Sequence, residues 1–365
     1  VNNPKTTNQV TNTSGRPDGG DFFVTKPGRL VLEGGQSFAG QVPDWHHDGL
    51  SGETVFNTGM TGYVETLTDP SYSGQILAFT YPLLGNYGVP DAGTWESQKI
   101  HLRGVVVSEL TQAWSHVGSL KSLGAWLREQ NIPFITGVDT RALTKYLRTR
   151  GTMTGLITTA DRPRLAGRAP AKVSIEAPRI YNPGKSKTVI AVDCGMKENI
   201  IRHLVGLGLT VKRVPHNYDY TADAYDGVFI SNGPGDPTDY QEATAILRRA
   251  LAGTKPVFGI CLGAQLMALA AGGSTYKLRF GHRGHNQPAV TPEGRGYITS
   301  QNHGYAVAED SLPADWRVTF RNLNDNSVEG IAHRHKPFFA VQFHPEAAPG
   351  PTDTAWLFDE FRKML

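Results

Sequence analysis

Two glycines flank Cys261 at −2 and +2, in the run Gly259-Ile260-Cys261-Leu262-Gly263. The run joins an apolar strand-like segment, KPVFGI, to a helical one, AQLMALAAG. A nucleophile on a tight strand-to-helix turn needs small residues on either side, because the chain reverses there without room for Cβ atoms. The helix that follows aims its free N–H groups and the positive end of its dipole at the sulfur, which favours thiolate over thiol. The same turn offers the backbone N–H of Leu262 as an oxyanion donor. The bland alternative is a small buried apolar residue, a common role for free cysteine. Cys194 is the internal control. In VIAVDCGMKENI it also ends a strand, but Val192 and Asp193 precede it, so the elbow spacing is missing and packing is its better reading.

A thiolate nucleophile needs a proton carrier for its leaving group, and that base needs an orienting partner. Phe343-His344-Pro345-Glu346 follows the strand-like FFAVQ. In an extended segment His344 and Glu346, two apart, project to one side. The carboxylate then fixes the imidazole tautomer and stabilises the imidazolium. A third element, Ser231-Asn232-Gly233-Pro234-Gly235-Asp236-Pro237, sits between a strand and a helix; its glycines let backbone N–H groups approach an anion. Alone, it reads as a turn.

Two look-alikes carry nothing. Gly184-Lys185-Ser186 ends like a phosphate-binding loop, but Arg179 stands where the leading glycine belongs and a strand follows. The pairs His282/His285 and His333/His335 lack the carboxylate or thiolate companions of a zinc site, so no metal is expected.

The elements that must position these residues change character along the chain. In the first half RLVLEGGQSFAGQ reads as two strands joined across Gly34-Gly35, HLRGVVVSEL as a strand, and KSLGAWLREQN and DTRALTKYLRTRG as helices. Asp139 would cap the second helix and Gly151 end it. From residue 188 strands and helices alternate: TVIAVDC, KENIIRHLVGLG, LTVKRVP, YDGVFISN, TDYQEATAILRRALAG, KPVFGI and LGAQLMALAAGG. Thr238 and Gln241 have capping-box spacing. HNQPAV, GYITSQ, RVTFRN and FFAVQF then read as strands, and TDTAWLFDEFRKML as a closing helix. The fold class is α/β: an N-terminal mixed β/α domain, then a domain whose mostly parallel central sheet is flanked by helices. The expected division is a disordered lead over 1–27, an N-terminal domain over 28–160, a linker with a docking strand over 161–187, and a second domain over 188–365.

With 36 basic and 33 acidic residues the net charge is +3, too balanced to argue for nucleic acid or a membrane surface. No apolar run approaches the ~18 residues a membrane span needs, and VNNPKTTNQVTNTSG lacks the apolar core of a signal peptide. Only two cysteines occur, which excludes a disulfide framework and points to a reducing, cytoplasmic compartment.

GICLGAQ, HPE and SNGPGDP, in chain order SNGPGDP, GICLGAQ, HPE, resemble the class I, or triad, glutamine amidotransferases over residues 188–365. The first half, through GETVFNTGMTGYVETLTDPSYSGQILAFTYPLLGNYG and VDTRALTKYLRTRG, is similar to the carbamoyl-phosphate synthase small-subunit family, as are FGHRGHNQPAV, TSQNHGYAV and FHPEAAPGPTDTAWLFDEF. The resemblance implies that Cys261 attacks the side-chain amide of glutamine to form a glutamyl thioester. His344 would protonate the departing ammonia and then activate water, with Glu346 orienting it. Gly233 or Gly235, with Leu262, would supply oxyanion and substrate contacts, and Ser71, Gln265, Asn302, Gly304 and Tyr305 match positions that hold glutamine. Ser71 belongs to the N-terminal half, so the pocket would be an interdomain one. No cofactor is implied in this chain. The implied partner is a large synthetase subunit, or a fused synthetase domain, that uses ATP, Mg and bicarbonate to make carbamoyl phosphate for pyrimidines or arginine. One departure is Ala264, where many relatives have histidine; it is expected to tune rate or coupling. The alternatives are a non-catalytic regulatory subunit, against which the intact triad stands, and a stand-alone cysteine hydrolase, against which Ser71 stands.

Overall fold

The computed structural model describes residues 23–161, 163–165 and 172–365. Most of the expected lead (1–22), and positions 162 and 166–171 of the expected linker, lie outside the described residues. Strand β1 (Thr25–Leu32) opens at Thr25, which corrects the expectation of disorder through residue 27; its pairing with the next strand begins at that residue. β2 (Ser37–Pro43) returns antiparallel across Gly34 and Gly35, whose φ angles of 87° and 89° suit glycine and strain other residues.

β3 (Gly52–Asn57) leads to a short helix, α1 (Tyr63–Thr68), a 3-10 turn at Pro70–Tyr72, and β4 (Gln75–Phe79). β5 (Leu83–Leu84), β6 (Val89–Pro90), β7 (Gly104–Val106), β8 (Glu109–Leu110) and β9 (Ser119–Lys121) are short. HLRGVVVSEL, expected as one strand, is split: β7 pairs with β4, and two residues on the chain turns away to pair with β5 as β8. α2 (Leu123–Glu129), β10 (Phe134–Ile135), α3 (Thr140–Arg150) and β11 (Met153–Thr158) complete this half. Asp139 Oδ1 accepts from Ala142 N at 2.8 Å and Gly151 (φ 94°) ends α3, as the sequence predicts. Seven strands form one mixed sheet in the order β10-β7-β4-β3-β11-β1-β2.

The second half begins with β12 (Arg179–Tyr181), inside the stretch read as linker, which pairs antiparallel with β14 (Thr210–Pro215). Between them lie β13 (Thr188–Asp193) and α4 (Glu198–Gly206). β15 (Gly227–Ile230), α5 (Gln241–Ala252), β16 (Val257–Ile260) and α6 (Leu262–Ala271) follow. β17 (Thr275–Val290), β18 (Gly296–Val307), β19 (Trp316–Asn322), β20 (Val328–His333), β21 (Phe338–Val341) and α7 (Trp356–Met364) close the chain. The sheet runs β12-β14-β13-β15-β16-β21-β20-β19-β17-β18, parallel from β14 to β21 and antiparallel beyond. Alternate residues of β13 supply its two faces. Ile190 and Val192 pack with Ile246, Leu247, Leu266 and Met267 of α5 and α6. Val189 and Ala191 pack with Ile200 and Leu204 of α4 and Phe358 and Phe361 of α7. Because both faces are covered, the central strands read as unbroken apolar runs.

The predicted capping box does not form. Thr238 donates its hydroxyl to Asp236 Oδ1 at 2.7 Å, within a 3-10 turn, and Tyr240 occupies the N-cap of α5. β17 is far longer than the HNQPAV read from sequence; register shifts at 277/282 and 284/287 break the alternation that would have revealed it. Its extra length ties the two halves together. Thr152 N donates to Arg279 O at 3.0 Å, Thr58 N to Arg283 O at 3.1 Å, and Lys277 Nζ to Glu53 Oε1 at 2.8 Å.

Candidate active site

The three chemistry-bearing segments leave the C-terminal ends of three neighbouring parallel strands. Ile260 of β16 lies opposite Val341 of β21, and Ile230 of β15 opposite Gly259, so residues just past these strands gather at one edge. Cys261 is the first residue beyond β16 and caps α6 with φ 55° and ψ −105°, a region L-residues rarely enter. Its N–H donates to Val341 O at 2.8 Å. The flanking glycines owe their identity to close approach: a Cβ at Gly259 would stand 2.7 Å from Gly263 O, and one at Gly263 would fall on Ile230 O. The thiol points to Asn302 O at 3.6 Å. The first N–H groups of α6, Leu262's included, have no carbonyl four residues back within the helix.

His344 is buried, its N–H held by Ser300 O at 2.8 Å. Its Nδ1 lies 2.6 Å from Glu346 Oε1, which leaves Nε2 buried and without a hydrogen-bond partner on the side where Cys261 acts on the ring. Burial opposes charge on the imidazole, but the negative charges of Glu346 and Cys261 outweigh it and push its pKa up to about 10. Burial likewise opposes charge on Glu346, and the cations Lys197 and His344 outweigh it, holding the carboxyl well below its usual range. Lys197 was not singled out by sequence reasoning. Its Nζ lies 3.1 Å from Glu346 Oε1 and 3.9 Å from Glu96 Oε2, and donates to Ala347 O. Glu96, from the N-terminal half, is fully buried, pairs with Arg202 at 2.9 Å, and is pushed up to about 7 by burial.

A cavity of about 410 Å³ opens over Cys261. It brings together Ser71, Gly233, Gly235, Gln265, Asn302, Gly304 and Tyr305, every substrate-binding candidate except Leu262, which is buried beneath. Ser71 Oγ accepts from Asn232 Nδ2 at 2.8 Å, and Asp69 Oδ2 accepts from Asn302 Nδ2 at 2.9 Å, so the N-terminal half is bonded to both the glycine loop and the β18 wall. Gly233 is fixed by packing, because a Cβ there would meet the carbonyl of Cys194. Gln265 spends its amide N–H groups on Tyr305 O at 2.9 Å and Gln342 Oε1 at 3.1 Å. Ala264 is buried in the core on α6.

Sequence reasoning missed Asp69, Lys197, Glu96 and Arg283. Asp69 precedes Pro70 in LTDPSY, and its side chain caps the turn that carries Ser71, accepting from Ser71 N at 2.9 Å. Arg283 lines the cavity; its buried Nε has no partner, while Nη1 donates to Phe280 O at 2.6 Å. Cys194 is fully buried in the core, and burial pushes its thiol up, which suits packing. His333 accepts from the N–H groups of His335 and Lys336, both at 3.0 Å. For His282 the reason given above is corrected: strand pairing brings it the carboxylates of Asp325 and Glu329, which sequence spacing conceals.

Comparison with known proteins divides the chain as its two sheets do. A family model described as glutamine amidotransferase class-I matches residues 190–364, and one described as carbamoyl-phosphate synthase small chain, CPSase domain, matches 30–157. The carbamoyl phosphate synthase arginine-specific small chain of Aspergillus fumigatus is 46% identical over 340 residues, 85% of this chain and 74% of that one. Multifunctional protein URA2 of Saccharomyces cerevisiae is 48% identical over 361 residues, 86% of this chain and 16% of that one. Multifunctional protein CAD of Squalus acanthias is 48% identical over 352 residues, 91% of this chain. The chain spans 16% of the length of these two multifunctional relatives.

Proposed function

This chain belongs to the carbamoyl-phosphate synthase small-chain family, with that family's class I glutamine amidotransferase domain as its second half, and we propose that it hydrolyses glutamine and passes the ammonia to a synthetase partner. The observation that carries this reading is the placement of Cys261 and the 2.6 Å His344–Glu346 pair at the ends of adjacent parallel strands, beneath a cavity walled by both halves.

In the proposed cycle the Cys261 thiolate attacks the side-chain amide carbon of glutamine. The oxyanion that forms is met by backbone N–H groups of Leu262 and of the Gly233–Gly235 loop. The imidazolium of His344 gives its Nε2 proton to the leaving nitrogen, the C–N bond breaks, and ammonia departs from a glutamyl thioester. His344, now neutral, takes a proton from water, whose oxygen attacks the thioester; glutamate and the Cys261 thiolate result. Glu346 fixes the ring through Nδ1 and stabilises its charged form. Ser71, Gln265, Asn302, Gly304 and Tyr305 would hold the amino-acid end of glutamine, and Arg283 is placed to receive its carboxylate. Class I amidotransferase chemistry needs no cofactor. ATP, Mg and bicarbonate would be used by the partner, whether a separate large subunit or a fused synthetase domain. No described helix is long and apolar enough to cross a membrane, and a cytoplasmic location is our reading from cysteine usage. We place the domain division within the 161–187 stretch, whose β12 already belongs to the second sheet.

The test is glutamate release from glutamine, for the parent and Cys261→Ala, with and without a synthetase partner, ATP and bicarbonate. Cys261-dependent release that rises with the partner is expected. In the partnered complex Cys261→Ala should abolish glutamine-dependent synthesis while synthesis from added ammonia survives. Persistence of the glutamine-dependent reaction in that variant would refute the proposal.

A further inference from the structure

Behind the cavity wall three side chains converge on one point: His282 from β17, His303 from β18 and Glu329 from β20. All three are buried, Glu329 completely. His282 Nδ1 lies 3.2 Å from His303 Nε2, and Glu329 Oε1 lies 3.4 Å and 3.7 Å from those two nitrogens. The outer ring nitrogens are already committed. His282 Nε2 donates to Asp325 Oδ2 at 2.9 Å, and His303 Nδ1 donates to the backbone carbonyl of Tyr305 at 2.8 Å. Carbonyls and ionised carboxylates only accept, so in neutral rings the protons sit outside and the facing nitrogens carry bare lone pairs. Gln301 Oε1, 3.2 Å from His303 Nε2, is one more acceptor, since its Nε2 is turned to Thr299.

Against these acceptors stands one amide. Asn322 Nδ2 lies 3.2 Å from Glu329 Oε1, 3.3 Å from His282 Nδ1 and 3.4 Å from Gln301 Oε1. Its two N–H bonds cannot serve all three, and they leave His303 Nε2 without a donor. Glu329 Oε2 is buried with no hydrogen-bond partner. So dense a set of lone pairs, out of water, is costly unless positive charge lies among them.

We propose that this cluster is a metal site that takes one zinc ion through His282 Nδ1, His303 Nε2 and Glu329. Zinc holds imidazole nitrogen and carboxylate oxygen at ~2.0–2.2 Å in tetrahedral geometry, which sets ligand atoms roughly 3.3 Å apart. The three observed separations bracket that edge length. Metal-bound histidines give their other N–H to a carboxylate or backbone carbonyl, and the two rings here do one of each. Two nitrogens and one oxygen suit zinc better than magnesium or calcium, which want oxygen sets. Gln301 Oε1 or a water completes the coordination. His303 lies between Asn302 and Gly304 and itself lines the cavity, so the ion would brace the β18 wall from behind. The competing occupant is a proton on His282, giving an imidazolium paired with Glu329.

The test uses the full chain carrying Cys261→Ala, so that the active-site thiol cannot take the metal. After chelator treatment it is titrated with Zn²⁺ against a chromophoric competitor, and Co²⁺ absorption reports the geometry. One equivalent is expected, lost in Glu329→Gln and weakened about 10–100-fold in Asp325→Asn. Asp325 is partly exposed, so Asp325→Asn keeps the test alive should the buried variant fail to fold. Absence of stoichiometric binding in the Cys261→Ala chain would assign the site to the proton. Binding of equal strength in Asp325→Asn and Glu329→Gln would put the ion elsewhere; either result overturns the proposal.

Discussion

Glu346 is the anion on which two buried cations depend. His344 and Lys197 both lean on its Oε1, at 2.6 Å and 3.1 Å. Removing one partner of a buried ion pair costs about 3–5 kcal/mol, because the remaining charge is left uncompensated. Glu346→Gln is therefore expected to lower thermal stability, and the pH dependence follows from the shifts. The raised imidazole contributes stability that is complete below its free value of 6.5 and lost as pH climbs through about 10. The depressed carboxyl contributes stability that is complete above 4.5 and lost as pH falls through its lowered pKa. The gap in melting temperature between parent and variant should thus be widest between 4.5 and 6.5 and narrow toward about 10, where the pairing of Glu346 with Lys197 persists. A gap that stays constant across that range would contradict the pairing. The triad was legible because its signals are local: glycines at −2 and +2 of Cys261, and a carboxylate two residues from His344. Lys197, Glu96, Asp69 and Arg283 were not, because no local spacing marks these four and only the folded chain brings them to the site.

At the level of elements, the elbow is held by backbone contacts that admit no side chain. Gly263→Ala would drive a methyl onto Ile230 O, a main-chain atom of a central strand that cannot yield as a side-chain tip would. We expect a loss of about 1–3 kcal/mol of stability from overpacking, together with a fall in glutamine hydrolysis although Cys261, His344 and Glu346 are untouched. Thermal melts and glutamate release read both, and wild-type values would show that the turn tolerates a Cβ. Strand and helix periodicity was readable where both faces of an element are covered, as in β13, β16 and α6. It failed where geometry is irregular. β17 is interrupted by two register shifts, and β20, VEGIAH, was passed over because Glu329 and Gly330 sit in the middle of a short buried strand. The capping box failed because Asp236, two residues upstream, competes for Thr238.

For the whole molecule, the decisive contacts are those that cross between the halves. Asp69 accepts from the amides of both Asn302 and Asn232, and so sets the position of Ser71 over Cys261. Asp69→Ala removes the acceptor of the half-buried Asn302 amide and one of the two acceptors of the buried Asn232 amide, whose other acceptor is Ser71 Oγ, a loss of about 1–3 kcal/mol. If that cost falls on the pocket, the KM for glutamine should rise on the order of tenfold per 1.4 kcal/mol while kcat changes less, since the triad itself is not touched. A variant with parental KM would mean that the N-terminal half is not part of the glutamine pocket.

A cavity with two owners also has a history in time. Domains of a chain under synthesis fold in order, the N-terminal one first. When Cys261 emerges, the strand that leads into it is made, but the helix beneath it, the parallel strand β21 beside it and His344, which follows five further strands, are not. The thiol meets a walled pocket only after the last strands have paired and the second half has docked on the residues around Ser71. A truncated or nascent chain thus holds the nucleophile without the chamber in which, on the proposed cycle, glutamine would be spent.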